Sequence, residues 1–499
     1  MEYTTTRSSN VRATASEAIL KGLGDDGGLY LPLSIPHLQM EELEALAGAS
    51  YQEVAKKILG LFLTDFTPEE ISYAVDKAYN PQTFQAPDVT PVSLIGEGTG
   101  ILELYHGPTA AFKDVALQIL PHLLTISARK NGDQRTYVIL VATSGDTGKA
   151  ALEGFRDVPG TKILVFYPKD GVSTVQKLQM VTQEGDNLGV LAVEGNFDDT
   201  QNGVKALFQD DEIARLLAEG NYTFSSANSI NWGRLAPQIV YYFYSYLQMA
   251  RQGQIALGEE VNFTVPTGNF GNILAGYYAK EMGLPIHRLI CAANANNVLT
   301  DFIRTGIYDR NRPFHKTLSP SMDILISSNL ERLLHLLSQE DSTLVSRLMA
   351  RLKEDGRYEI PHHLKEKIQE VFFSSSKDDR ETLAEIRRMY QEHGYLMDTH
   401  TAVAWGVARD YKEESGDARF QIILSTASPY KFVSAVGDAI LAGDKPKSEL
   451  ELLLKIQEQT EVSIPSGLQN LEQRPLRFTQ EIQKEDMPEA LLAYLQLNR

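Results

Sequence analysis

The chain has 499 residues, 43% of them hydrophobic, and 47 lysines and arginines stand against 65 aspartates and glutamates for a formal net charge of −18. Such a length can bury a large core and build two or three structural units. The negative charge excludes a surface made for nucleic acid or anionic membrane, since both need a basic face, so a phosphorylated ligand must be met by donors gathered in one pocket.

The opening MEYTTTRSSN lacks an apolar leader core, and no apolar run is long enough to span a bilayer. A soluble cytoplasmic protein is expected, as a monomer or homodimer, with no nucleic-acid or membrane partner and no metal. Residues 1–90 read as a mainly helical unit. Residues 16–20 suggest a short helix, residues 22–28 are turn-rich, and Pro32 and Pro36 break the chain before an acidic amphipathic stretch at 40–47. Thr67 suits an N-cap, Pro68 the first helical position, and Glu69 and Glu70 the positive end of a helix dipole.

Residues 91–440 change rhythm, with short apolar runs alternating with helical stretches. Strands are predicted at 137–142, 162–167, 261–265, 289–292 and 420–424. Continuous apolar strands between helices indicate an α/β fold with a parallel sheet covered on both faces. Residues 329–395 read as a helical insertion, and 441–499 as a polar, acidic, peripheral C-terminal extension. Cys291 is the single cysteine, so no intrachain disulfide forms, and its apolar surroundings read as those of a small buried hydrophobe.

Ligands in open α/β sheets bind where strands end and helices begin, and three predicted strand ends carry polar or glycine-rich turns. After 261–265 come Gly268, Asn269, Phe270, Gly271 and Asn272, opening an apolar helix. Free amides and the positive helix end would suit one small phosphate, although a turn without ligand fits the same residues. The pattern is neither GxGxxG nor a P-loop. After 137–142 come Thr143, Ser144, Gly145, Asp146 and Thr147. Their hydroxyls and amides could hold a carboxylate, and a helix cap accounts for only one of them. After 420–424 come Ser425, Thr426 and Ser428, which alone say little. Lys113 follows the small and apolar residues Ala110, Ala111 and Phe112. An amine in such a pocket loses hydration and becomes neutral more readily, as Schiff-base chemistry requires.

HGPTAAFKD at 106–114 resembles the lysine motif of the threonine synthases, within the tryptophan-synthase-β-like, fold type II pyridoxal-phosphate enzymes. The resemblance extends over residues 3–440 or so. It includes YTTTR at 3–7, DDGGLY at 25–30, NFDDTQ at 196–201, NSINWGR at 228–234 and SPSMDILISSNLER at 319–332. It implies two open twisted α/β subdomains with pyridoxal 5'-phosphate between them. Lys113 would carry the cofactor as an imine. Residues 268–272 would hold its phosphate, Thr426 would bond the pyridine nitrogen, and Asp146 would lie near the 3′-oxygen. Thr143, Ser144 and Thr147 would bind the substrate carboxylate, and Ser229, Asn231 and Arg234 its phosphate. The family commonly has histidine at the place of Ser428, and Asp-Pro-His where Asp398, Thr399 and His400 stand.

The implied reaction converts O-phospho-L-homoserine and water to L-threonine and phosphate. The alternatives are a threonine-synthase-like phospho-lyase acting on O-phosphothreonine, a dehydratase or cysteine-synthase-like enzyme, and a catalytically silent binding protein. The run from Ser321 to Arg332 argues against the dehydratase or cysteine-synthase-like enzyme, and the intact lysine and glycine turns against the silent protein.

Overall fold

Two sheets organise the larger part of the molecule in this computed structural model, which describes residues 1–143, 145–443 and 445–497. The first has six strands in the order Phe372–Ser376, Ile286–Ala293, Val261–Pro266, Gln421–Ser425, Thr99–Glu103 and Val92–Leu94. All neighbours are parallel except the last pair. The second has five parallel strands in the order Glu481–Ile482, Leu188–Val193, Thr161–Pro168, Thr136–Ala142 and Tyr222–Ser225. The central strands are apolar on both faces because helices cover both, which is why they read as unbroken hydrophobic runs.

The helix Trp232–Arg251 links the two sheets in sequence and is buried along almost its whole length, Pro237 included. It packs against Tyr51–Phe62, Lys113–Leu117 and Gly271–Glu281. The lysine segment and the helix after the glycine turn therefore share one rigid support.

The N-terminal unit has the expected helices. Thr67 caps Pro68–Ala78 and exchanges bonds with Glu70, and Thr14 does the same with Glu17 for Ala15–Lys21. It also contains a three-stranded antiparallel sheet of Ser8–Ala13, Tyr3–Thr5 and Tyr30–Pro32, which the mainly helical reading missed. Two of these strands are only three residues long, too short for an alternating pattern to register.

Two other expectations need correction. Residues 329–395 include four helices, but Phe372–Ser376 forms an edge strand of the six-stranded sheet. Its serines conceal it: Ser374 Oγ donates to Cys291 O at 2.8 Å and Ser375 Oγ to Asp410 Oδ2 at 2.8 Å. The C-terminal segment is likewise more than peripheral. Glu481–Ile482 adds a strand to the five-stranded sheet, and Ile482, Met487, Leu491, Leu492 and Leu495 are buried in its core. Among the described residues no helix is long and apolar enough to cross a membrane.

Candidate active site

Four strand ends converge on one region. Thr99–Glu103 leads to the lysine loop, Thr136–Ala142 to Asp146, Val261–Pro266 to the glycine turn, and Gln421–Ser425 to Thr426. All four strands present their carboxyl ends, where helix N-termini and loop amides gather.

The lysine loop is fastened from two sides. Phe112 N donates to Thr426 O at 2.8 Å, and Ser428 N donates to Ala110 O at 3.0 Å. Thr109 donates to both oxygens of Asp114, at 2.8 Å from N and 2.7 Å from Oγ1. Ser428 thus lies behind the lysine turn, buried, rather than on an open face. Lys113 starts the helix Lys113–Leu117 and is 9% exposed. Its Nζ lies 3.3 Å from Ser321 Oγ and 3.5 Å from Asp146 Oδ2.

Asp146 is the hub of this site. Ser321 Oγ donates to its Oδ2 at 3.2 Å, while Lys431 Nζ and Gln176 Nε2 each reach Oδ1 at 2.9 Å. Ser321 N donates to His400 Nε2 at 3.1 Å. The His400 proton is therefore on Nδ1, donated to Asp398 Oδ1 at 2.8 Å. His400 acts here as a strut under Ser321.

Burial is the largest influence on Lys113 and lowers its pKa. Asp146 opposes this, Arg234 and Lys431 reinforce it, and the net result is an amine more easily neutral than an ordinary lysine. Burial alone would raise Asp146, but Lys431 and then Lys113 hold its carboxyl well below the usual range.

The turn at 268–272 leads into the helix Gly271–Glu281. Phe270 takes a left-handed φ of 64° at the N-cap of Gly271–Glu281, which leaves the first-turn amides without internal acceptors. Ser327 Oγ donates to Gly268 O at 2.7 Å, and Asn329 donates to Asn269 O at 3.1 Å from both N and Nδ2. A Cβ on Gly268 would stand 2.8 Å from Ser321 O, so no side chain fits there. Asn272 Oδ1 accepts from Tyr241 Oη at 2.6 Å and Tyr242 Oη at 3.1 Å. Asn272 Nδ2 is buried without a partner among the described residues, a donor suited to an anionic oxygen.

Thr143 fastens its own turn, its Oγ1 accepting from Gly145 N at 3.0 Å and Gly148 N at 2.9 Å. Thr147 is half-buried beside it, and Ser144 lies outside the described residues. Thr426 is buried against the lysine loop, and Ser229 is half-buried. Asn231 is fully enclosed: Oδ1 caps Gly233 N at 2.9 Å while Nδ2 donates to Ile19 O at 3.0 Å and Ser226 O at 3.2 Å. Its amide is occupied in holding the 226–234 loop to the N-terminal unit.

Arg234 is 6% exposed, and among the described residues no carboxylate pairs with it. Its Nη1 donates to Ala227 O at 2.6 Å. Burial alone pushes the guanidinium down to about 10. A buried cation left in this state calls for an anion.

The run at 319–332 joins these parts. Ser321 touches Lys113 and Asp146, and Ser327 and Asn329 hold the glycine turn. Glu331 accepts a two-pronged pair from Arg7 at 2.8 Å and a bond from Thr6 at 2.5 Å. Arg332, fully buried, donates to Tyr30 O at 2.9 and 2.7 Å and to Ile230 O at 2.6 Å. Sequence reasoning quoted this run without giving Ser321 a role, and it missed Lys431 and Gln176 entirely. A lysine between two aromatics, Tyr430 and Phe432, was the available signal for Lys431.

The arrangement can fix a small phosphate at residues 268–272 and offer a desolvated amine to an aldehyde beside it. The chain matches the family models described as threonine synthase N terminus over residues 2–79, pyridoxal-phosphate dependent enzyme over 101–426, and threonine synthase, C-terminal, over 401–489. It is 43% identical to threonine synthase-like 1 of Pongo abelii, covering 85% of this chain but only 58% of that protein's length. It is 41% identical to threonine synthase of Eremothecium gossypii, covering 89% of this chain and 90% of that one. The structure of PLP-bound threonine synthase from Brucella melitensis superposes with a TM-score of 0.89 at 38% identity, covering 99% of this chain and 100% of that one. The chain belongs to the threonine synthase family of pyridoxal-phosphate dependent enzymes.

Proposed function

We propose that this chain converts O-phospho-L-homoserine and water to L-threonine and phosphate, with pyridoxal 5'-phosphate as cofactor. The observation that carries the reading is the pairing of a buried, easily neutralised Lys113 with Arg234, a buried guanidinium that has no acidic partner among the described residues and bears on Lys113 electrostatically. One site thus offers an amine for an aldehyde and a separate cation for a phosphate ester.

The cofactor would be held at its phosphate by Gly268, Asn269, Phe270, Gly271 and Asn272, at its ring nitrogen by Thr426, and near its 3′-oxygen by Asp146. When bound, it supplies an electrophilic carbon and a conjugated ring that spreads the electron pair released at the substrate's Cα and Cβ. Lys113 would hold it by its amine, and that same amine is placed to take the proton from the substrate's Cα. Its lowered pKa suits that step, because a fully protonated ammonium cannot accept a proton. Thr147 and the turn amides that Thr143 fixes would orient the α-carboxylate. Arg234, with Ser229, would bind the phosphate ester and stabilise the leaving dianion by charge-assisted bonds. Asn231 contributes by positioning the loop that carries Arg234.

The test supplies O-phosphohomoserine and O-phosphothreonine separately, with threonine, phosphate and 2-oxo acid each measured. Threonine and phosphate in equal amounts from the first substrate are expected. Release of a 2-oxo acid from O-phosphothreonine, with no threonine from O-phosphohomoserine, would refute the proposal. Lys113→Ala is expected to lose both the visible absorbance of the bound cofactor and turnover, and a variant retaining both would remove Lys113 from its role.

A further inference from the structure

Lys431 lies in the short 3-10 turn Pro429–Phe432, and its side chain is completely enclosed. Its ammonium meets three acceptors: Asp146 Oδ1 at 2.9 Å, Thr109 O at 3.0 Å and Gln179 Oε1 at 3.2 Å. An ammonium has three protons, so this one is saturated and fixed in place. It has nothing left to offer a ligand, and a buried charge is costly to desolvate.

Its position explains how Asp146 is divided. A carboxylate free to turn would present both oxygens to the nearest cation. Here Lys431 and Gln176 occupy Oδ1, which leaves Oδ2 for Lys113 and Ser321. The contact to Lys431 is the close one, 2.9 Å against 3.5 Å for Lys113. We propose that Lys431 is a positioning residue for Lys113: it anchors the far oxygen of Asp146 so that the near oxygen steers the amine without fully pairing with it. The inference rests on Lys113 being the cofactor lysine.

The charged groups facing Lys113 are Asp146, Arg234 and Lys431, and Asp146 also faces His400. Removing the Lys431 charge would free Asp146 to pair with Lys113 and would remove a like charge nearby. Both changes favour the protonated amine, so the two effects share one sign. A purely structural lysine would leave the titration of Lys113 unmoved.

The test uses the full chain freed of cofactor. Pyridoxal phosphate is added across a range of pH, and the initial rate of visible absorbance growth is recorded, with thermal melting as a check of folding. Lys431→Met and Lys431→Gln remove the charge, the second keeping a donor for Thr109 O; Lys431→Arg retains the charge. The midpoint of the rate profile is expected to rise by about one pH unit in the neutral variants, with about tenfold slower capture at neutral pH, and Lys431→Arg is expected to return most of the way to wild type. A midpoint unmoved or lowered in a folded neutral variant overturns the proposal. A wild-type chain that develops no absorbance would instead sink the assignment of Lys113.

Discussion

Arg234→Met separates stability from function at one side chain. Burial pushes the guanidinium from its ordinary value down to about 10, a desolvation cost of about 3 kcal/mol. Below about 10 the folded and unfolded states both hold the proton, so the cost is present in full at neutral pH. Methionine keeps the length of the stem, removes the charge and forfeits the bond to Ala227 O, a loss of about 1–2 kcal/mol. The ligand-free variant should therefore be more stable than wild type by roughly 1–2 kcal/mol, raising Tm by about one or two degrees in a chain of this size. The measurement is thermal unfolding of both proteins with and without inorganic phosphate and O-phosphohomoserine. Wild type should gain Tm with either ligand, while the variant starts higher, gains little and turns over at least about a hundredfold more slowly. A variant less stable than wild type without ligand, yet equally stabilised by phosphate, would refute the view of Arg234 as an uncompensated anion-binding cation.

Gly268→Ala should weaken cofactor binding by at least about tenfold, because its Cβ would stand 2.8 Å from Ser321 O and must displace the turn; equilibrium titration with pyridoxal phosphate measures this. Arg7→Ala leaves Glu331, only 5% exposed, without its two-pronged partner. It should cost about 2–3 kcal/mol in docking of the N-terminal unit, seen as faster hydrogen exchange over Tyr3–Thr5 and Leu330–Leu337. Asp114→Asn tests a pH dependence. Burial pushes the Asp114 carboxyl up to about 6 from 3.8, against the hydrogen bonds of Thr109, so between those values the folded state binds more protons and wild-type stability falls as pH rises. The variant should be more stable than wild type above about pH 6, by up to about 3 kcal/mol less any weakened bonds, and the advantage should fade toward about pH 4. Melting curves across that range check it.

The parts of this molecule legible in the sequence share a physical cause. The central strands showed as unbroken apolar runs because both of their faces are covered. Thr67 and Pro68 showed because capping is local chemistry, complete within four residues. The glycine turn showed because Gly268 meets the backbone of Ser321 too closely for a side chain. What escaped was non-local. Phe372–Ser376 owes its strand conformation to Ile286–Ala293, and its serines to acceptors far away in the chain. Lys431, although set between two aromatics, shows its role only when the fold brings Asp146, Thr109 and Gln179 around it. Asn231 was read as a substrate contact because its motif could not reveal Ile19 and Ser226 as its partners.

The strand Glu481–Ile482 has a bearing on how the chain comes to be folded. It closes one margin of the sheet that also holds Thr136–Ala142, and Gly467 lies so tightly on the lysine loop that a Cβ there would overlap Pro108 O. A nascent chain still lacking these residues has an unprotected sheet margin and a loosely supported lysine. Such intermediates are prone to stick to one another. Support of the lysine loop therefore waits on Gly467, more than three hundred positions further along the chain, and closure of the sheet margin waits on Glu481–Ile482.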